Sequence, residues 1–161
     1  MIAEITKEMI QYFGNDVKRI NHALKVYSFA KTIAELEHLN QFTRTIIEVT
    51  AILHDIGIKE AERKYNSSAG NFQEKEGPTV AKSILEKTVL PFDTINRICF
   101  IIGNHHSLSK IDDIDFQIIV EADFLVNIFE DELPAETVKT ILDKHFKTKS
   151  GIQILSAIYV E

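Results

Sequence analysis

Apolar residues recur along this chain at helical spacing, and nowhere with the strict alternation of a half-buried strand. Residues 2–13 read as a short amphipathic helix ended by Gly14-Asn15. Residues 16–38 read as a longer one, with Asp16 as its N-cap and Ile20, Ala23, Leu24, Tyr27, Ala30 and Ala34 holding the period. Thr43 can cap a third helix running to about Ile56, and Gly57 suits the left-handed position that stops a helix. Residues 58–75 are polar and lack apolar periodicity, so Asn66-Ser67-Ser68-Ala69-Gly70-Asn71 is the best candidate for a mobile loop. Glu76-Gly77-Pro78 then opens a helix to about Lys87, and Pro91 or Phe92 opens another through Ile102. Asp112 or Asp113 begins the next, which carries Phe116, Ile119, Val120, Asp123 and Val126. Pro134 starts a helix to about His145, and residues 150–158 form a last one. The expectation is an all-α fold, a compact bundle of about six to eight helices in a single domain over residues 1–161.

Composition narrows the class of protein. Hydrophobic residues make up 45% and charged ones 26%, which fits a globular chain rather than a disordered one. The net charge of −6 and the lack of any long Lys/Arg block argue against a nucleic-acid polymer as partner. An anionic substrate would need local attraction, from a metal or a few placed cations. Cys99, the only cysteine, lies in Ile98-Cys99-Phe100-Ile101-Ile102 and reads as a small core residue, so no disulfide forms within the chain. The N-terminal residues lack the basic and apolar regions of a signal peptide, and no apolar run approaches membrane-spanning length. A cytoplasmic monomer or homodimer with no membrane partner is the expectation.

The chemistry lies in polar residues on apolar faces. His54-Asp55 closes the run Ile46-Ile47-Glu48-Val49-Thr50-Ala51-Ile52-Leu53, where burying either group is costly unless something pairs with it. His22 shares a helical face with Val26, Phe29 and Ile33. Asp123 follows Phe116 by seven and Ile119 by four, with Val126 and Asn127 beyond. Three inward-facing helices thus offer two imidazoles and two carboxylates, a set suited to Mn, Fe, Co, Ni, Mg or Zn. One such cation site is expected, and a second is an open possibility. Any one of these residues could be an ordinary buried residue, but an unpaired buried carboxylate is rare and the four together point to a metal.

The series His22, His54-Asp55-Ile56-Gly57 and Asp123 resembles the HD-domain superfamily of metal-dependent phosphohydrolases. Arg19-Ile20-Asn21-His22 and Glu121-Ala122-Asp123-Phe124-Leu125 are similar to the segments around that family's first and last ligands, so the likeness spans about residues 16–130. The tail segment Phe146-Lys147-Thr148-Lys149-Ser150-Gly151 is similar to tails of such proteins. The resemblance implies His22, His54, Asp55 and Asp123 as metal ligands. It also implies hydrolysis of a phosphate ester, as a mono- or diesterase, in a nucleotide or another small phosphorylated metabolite. The alternative it leaves is a non-catalytic regulatory module that binds metal or nucleotide.

A second histidine pair ends another apolar run, in Ile102-Gly103-Asn104-His105-His106, with His105 on the face of Ile98 and Ile101. In binuclear relatives, histidines of this region bind a second cation. Here His105 and His106 can do so, hold phosphate or donate a proton, or simply sit at a helix end whose dipole favours them. Two departures from the family pattern bear on this. Gln73 stands nearest to where binuclear relatives have a further His, and Gln is a poor ligand. Ser107 follows the pair, without the Glu and the Gly-Tyr-Pro of the HD-GYP branch, so cyclic-dinucleotide hydrolysis is set aside. In the reaction, Asp55 would orient or deprotonate water activated by the metal, with His105 or Glu76 as general acid or base. Glu74 is an alternative to Glu76, and an exposed capping role is open to both. Lys59 and Arg19 lead the candidates for substrate phosphate, with His106, and with Arg63 and Lys64 in a polar segment, 63–75, that has the makings of a lid.

Overall fold

The structure, a computed structural model, describes residues 1–160. Among the described residues it holds nine α-helices, one 3-10 turn and no strand. The helices are α1 (Ile2–Phe13), α2 (Val17–Leu36), α3 (Gln41–Leu53), α4 (Ile58–Tyr65), α5 (Gly70–Leu85), α6 (Phe92–Ile102), α7 (Ile114–Glu130), α8 (Ala135–His145) and α9 (Lys149–Tyr159).

Local signals start most of them. The Asp16 carboxylate accepts from the Arg19 backbone N–H at 3.2 Å, and the Asp113 carboxylate from that of Ile114 at 2.7 Å. Pro91 and Pro134 sit at the N-caps of α6 and α8. For α3 the cap is Asn40, whose side chain accepts from the Thr43 N–H at 3.0 Å, so the helix begins earlier than Thr43 suggests.

Helix α3 is the axis of the molecule. Every residue from Ile46 to Leu53 is buried, as expected of a helix enclosed on all sides. It packs on α2 and α7, which also pack on each other, and on α6. Helix α5 covers α6 and packs with α4, while α8 and α9 cover α7. The buried apolar cluster draws on every helix except α4. Among the described residues, no helix is long and apolar enough to cross a membrane.

The stretch 58–75 departs from the loop expected there. It holds all of α4 and the start of α5, leaving only residues 66–69 between them. With Ile58 and Ala61 as its only buried residues, α4 has too narrow an apolar stripe to register as periodic. Glu60 in its first turn, Arg63 and Lys64 in its last, and an Arg63–Glu60 ion pair complement the helix dipole instead. Asn66, left-handed at φ 51°, ends it. Helix α5 starts at Gly70, so Pro78 lies inside it rather than at its head.

Gly57 is not left-handed either: its φ is −73°. Its need is for space. A Cβ there would lie 2.5 Å from the Gln73 carbonyl oxygen and 2.6 Å from the Gly77 nitrogen. Bare backbone at Gly57 and Gly77 therefore lets α5 close directly over the turn that carries His54-Asp55.

Candidate metal centre

Four helices converge at that turn. His22 comes from the second turn of α2, and His54-Asp55 follow the last residue of α3. His105 follows the end of α6, and Asp123 lies mid-way along α7. His22, His54 and His105 are buried, while Asp55 and Asp123 are partly so.

The three histidines share one arrangement. His54 Nδ1 donates to the Ala51 carbonyl, three residues back, at 2.8 Å. His105 Nδ1 donates to the Ile102 carbonyl, also three back, at 2.9 Å. Each ring thus satisfies a carbonyl orphaned at its own helix end and turns Nε2 inward. His22 Nδ1 lies 2.8 Å from Glu130 Oε2, so its Nε2 also points in. Anchoring the far ring nitrogen in this way is how metal-binding histidines are oriented.

Inside, ligand atoms crowd together. His22 Nε2 stands 3.2 Å from His54 Nε2 and 3.1 Å from Asp123 Oδ1. Asp55 faces both sides: Oδ2 lies 3.5 Å from His22 Nε2 and 3.6 Å from His54 Nε2, and Oδ1 lies 3.4 Å from His105 Nε2. Two sets therefore have the spacing to hold a cation: His22, His54 and Asp123, and His54, Asp55 and His105. The ends of α3 and α6 add the negative poles of their dipoles.

The donor set fits a divalent cation on a further observation. His105 Nε2 is buried without a hydrogen-bond partner, a costly arrangement in a protein interior. The electrostatics point the same way. Burial works to lower the His22 pKa, but Asp123, Asp55 and Glu130 outweigh it and hold the imidazole up at about 9. His54 is also raised against burial, by Asp55 and Asp123. Burial alone would raise Asp55, yet His54 and His105 bring it down to about 2. The imidazoles of His22 and His54 likewise hold Asp123 well below the usual carboxylate range, against burial. The carboxylates thus favour the charged forms of both imidazoles, as they would favour a cation.

The other expected site residues separate into two groups. Arg19 lines a cavity of about 430 Å³ beside His22 and Asp55, although Asp16 and Glu62 bind its guanidinium at 2.6 and 2.5 Å. Lys59 turns away: its ammonium donates to the Tyr12 carbonyl at 2.6 Å and lies over the Tyr12 ring. Glu76 is buried on α5, and its carboxylate is taken by Lys64 and by the Tyr65 hydroxyl. Lys59 and Glu76 thus do not join the cluster, because their helix faces look towards α1 and within the α4–α5 pair. Glu74 accepts from the His106 N–H at 3.0 Å and the Ser107 hydroxyl at 3.1 Å, tying α5 to the turn after α6. His106 stacks on His105 with ring centroids 3.9 Å apart, and its Nε2 lies 3.2 Å from Gln73 Oε1. Partial desolvation of the ring and the neighbouring His105 push its imidazole down to about 4. Gln73 commits the other end of its amide to the Ser68 carbonyl at 2.6 Å. His106 and Gln73 therefore brace each other at the edge of the centre.

Two residues not foreseen from the sequence complete the site. Asn127 donates to Asp123 Oδ1 at 3.0 Å. Glu130 holds His22 Nδ1 and also pairs with Lys25. Their signal was present as spacing, since Asn127 and Glu130 follow Asp123 by four and seven along one face of α7.

Comparison with known proteins agrees with this geometry. The family model described as HD domain matches residues 19–144. Among solved structures, the chain is similar to a predicted HD superfamily hydrolase from an uncultured Thermotogales bacterium. The TM-score is 0.71 at 20% identity, covering 98% of this chain and 84% of that one. No curated protein matches.

Proposed function

Because the chain belongs to the HD-domain family, we propose that it is a metal-dependent phosphohydrolase acting on a phosphate ester of a nucleotide or another small metabolite. The observation that carries this reading is the convergence of His22, His54 and His105 on the carboxylates of Asp55 and Asp123, with His22 and Asp55 at the wall of a cavity. A divalent cation held there would supply charge neutralisation for a phosphoryl group and a water acidic enough to attack near neutral pH.

His22, His54, Asp55 and Asp123 would hold the cation, with His105 available to the Asp55 side. Asp55, whose two oxygens face the His22–His54 side and the His105 side of the centre, would orient a water. His105 Nε2, without another hydrogen-bond partner, is the better proton carrier. Asn127 keeps the Asp123 carboxylate turned towards the histidines. Arg19 at the cavity wall would meet the substrate phosphate by exchanging Glu62 for it.

The test is metal analysis followed by a phosphatase screen with Mn, Co, Ni and Mg, using His54→Ala and Asp55→Ala as controls. Metal-supported hydrolysis that both substitutions abolish is the expected result. Bound metal with no ester hydrolysed would favour a regulatory module instead. A protein that binds no metal and gains no thermal stability from any would overturn the centre itself.

A further inference from the structure

We infer that the cavity beside the metal centre selects a phosphorylated sugar or polyol, and that a nucleobase adds nothing to binding there. This inference rests on the phosphohydrolase reading and names its substrate class.

The cavity has the volume for a small phosphate ester, about 430 Å³. Beyond the metal centre its wall is polar and includes Asp16, Lys18, Ser68, Gln73, Glu130 and Asp131, with Ile58 as its one aliphatic side chain and, His22 apart, no aromatic one among the described residues. A nucleobase is a flat apolar surface, and sites that hold one usually offer aromatic or apolar faces to it. Two aromatic residues near Ser68 in the chain are already committed. Tyr65 and Phe72, which flank the 66–69 connection, stack on each other at 4.3 Å with an interplanar angle of 13°. Lys75 also lies over the Tyr65 ring, and the Tyr65 hydroxyl is bound to Glu76.

What the wall does offer is acceptors. Carboxylates such as Asp131 and Asp16 accept hydrogen bonds from hydroxyl groups, and Ser68 can donate or accept. Asp16 already serves Arg19 and the head of α2, which leaves Asp131, at the end of α7, as the freer acceptor. A phosphate bound between Arg19 and the metal centre would carry its hydroxylated remainder along this wall. A site that hydrogen-bonds substrate hydroxyls discriminates strongly against analogues that lack them.

Ribose 5-phosphate and AMP form the matched pair that tests this, since they differ chiefly in the base. With the metal-loaded protein, kcat/KM for ribose 5-phosphate should equal or exceed that for AMP. Asp131→Ala should raise KM for ribose 5-phosphate about fivefold, more than it raises KM for p-nitrophenyl phosphate. AMP turned over ten times more efficiently than ribose 5-phosphate would overturn the inference. So would an Asp131→Ala effect that is absent, or equal for the two esters. Failure to hydrolyse any ester would sink the phosphohydrolase reading separately. Calorimetric titration of the two ligands would then still decide the pocket's preference. Ribose 5-phosphate binding at least as tightly as AMP supports the inference, and tighter AMP binding, or no binding of either, overturns it.

Discussion

Two carboxylates on α7, Glu121 and Asp123, sit two residues apart and face opposite sides of the helix. Glu121 is completely buried and fully provided for. It accepts from the backbone N–H groups of Lys147 and Thr148 at 2.6 and 2.9 Å, from the Thr148 hydroxyl at 2.5 Å and from the Gln117 amide at 2.8 Å. Asp123 has one amide donor, Asn127, and otherwise looks at imidazoles and at another carboxylate across the centre. Glu121 fastens the start of α9 to the core, and its chemistry is finished within the fold. Asp123 belongs to a cluster whose charges and lone pairs are left for something to be added. Burial alone does not mark a site; burial with unmet demand does.

That contrast predicts a double dissociation. The largest effect expected is at Asp123. Asp123→Ala should weaken divalent-cation binding by more than 100-fold, since even residues that only orient ligands are worth about 10–100-fold. Above about pH 9, where His22 no longer carries the proton that Asp123 stabilises, urea unfolding of the metal-free variant should stay close to that of the metal-free parent, and a large loss of stability there would break the comparison. Glu121→Ala should do the reverse. It strands two backbone donors and a hydroxyl in the core, for a loss of about 3 kcal/mol in urea unfolding, while the fraction that remains folded still binds metal.

The pH dependence sharpens the same point. The folded pKa of His22, about 9, lies above its ordinary 6.5. Its contribution is therefore fully present below about pH 6.5 and is lost as pH rises through 9. Metal-free protein should lose up to roughly 3 kcal/mol across that window, followed by unfolding at fixed metal-free conditions. Saturating metal should remove the trend, because the cation takes the place of the Nε2 proton and competes better as pH rises. Equal slopes with and without metal would contradict the assignment. The smallest effect expected is at Glu130. Glu130→Gln, which keeps the shape but weakens the hold on His22 Nδ1, should lower metal affinity about tenfold by calorimetry, with Glu121-dependent stability unmoved.

Much of this was legible in the chain. The apolar period placed α2, α3, α6 and α7, and the same period put His22, His54, His105 and Asp123 on inward faces. Capping chemistry marked Asp16 and narrowed the start of α7 to Asp112 or Asp113, and prolines marked α6 and α8. Three things were not legible. Helix α4 hides in a polar stretch because only Ile58 and Ala61 are buried. Gly57 could be read as a left-handed stop, whereas its role is to admit the backbone of α5. Lys59 and Glu76 have the right chemistry near the right motif but are spent on Tyr12, and on Lys64 and Tyr65.

The sequence by itself determined the class of the fold and the kind of chemistry, because helical period and ligand type are properties of neighbouring residues along one chain. Only the tertiary structure decided which ring nitrogens face one another, which carboxylates are already satisfied and which cations reach the cavity. Those depend on how α2, α3, α6 and α7 pack, and a side chain's partners across such an interface lie 18 to 101 residues away in the chain, beyond the reach of any local pattern.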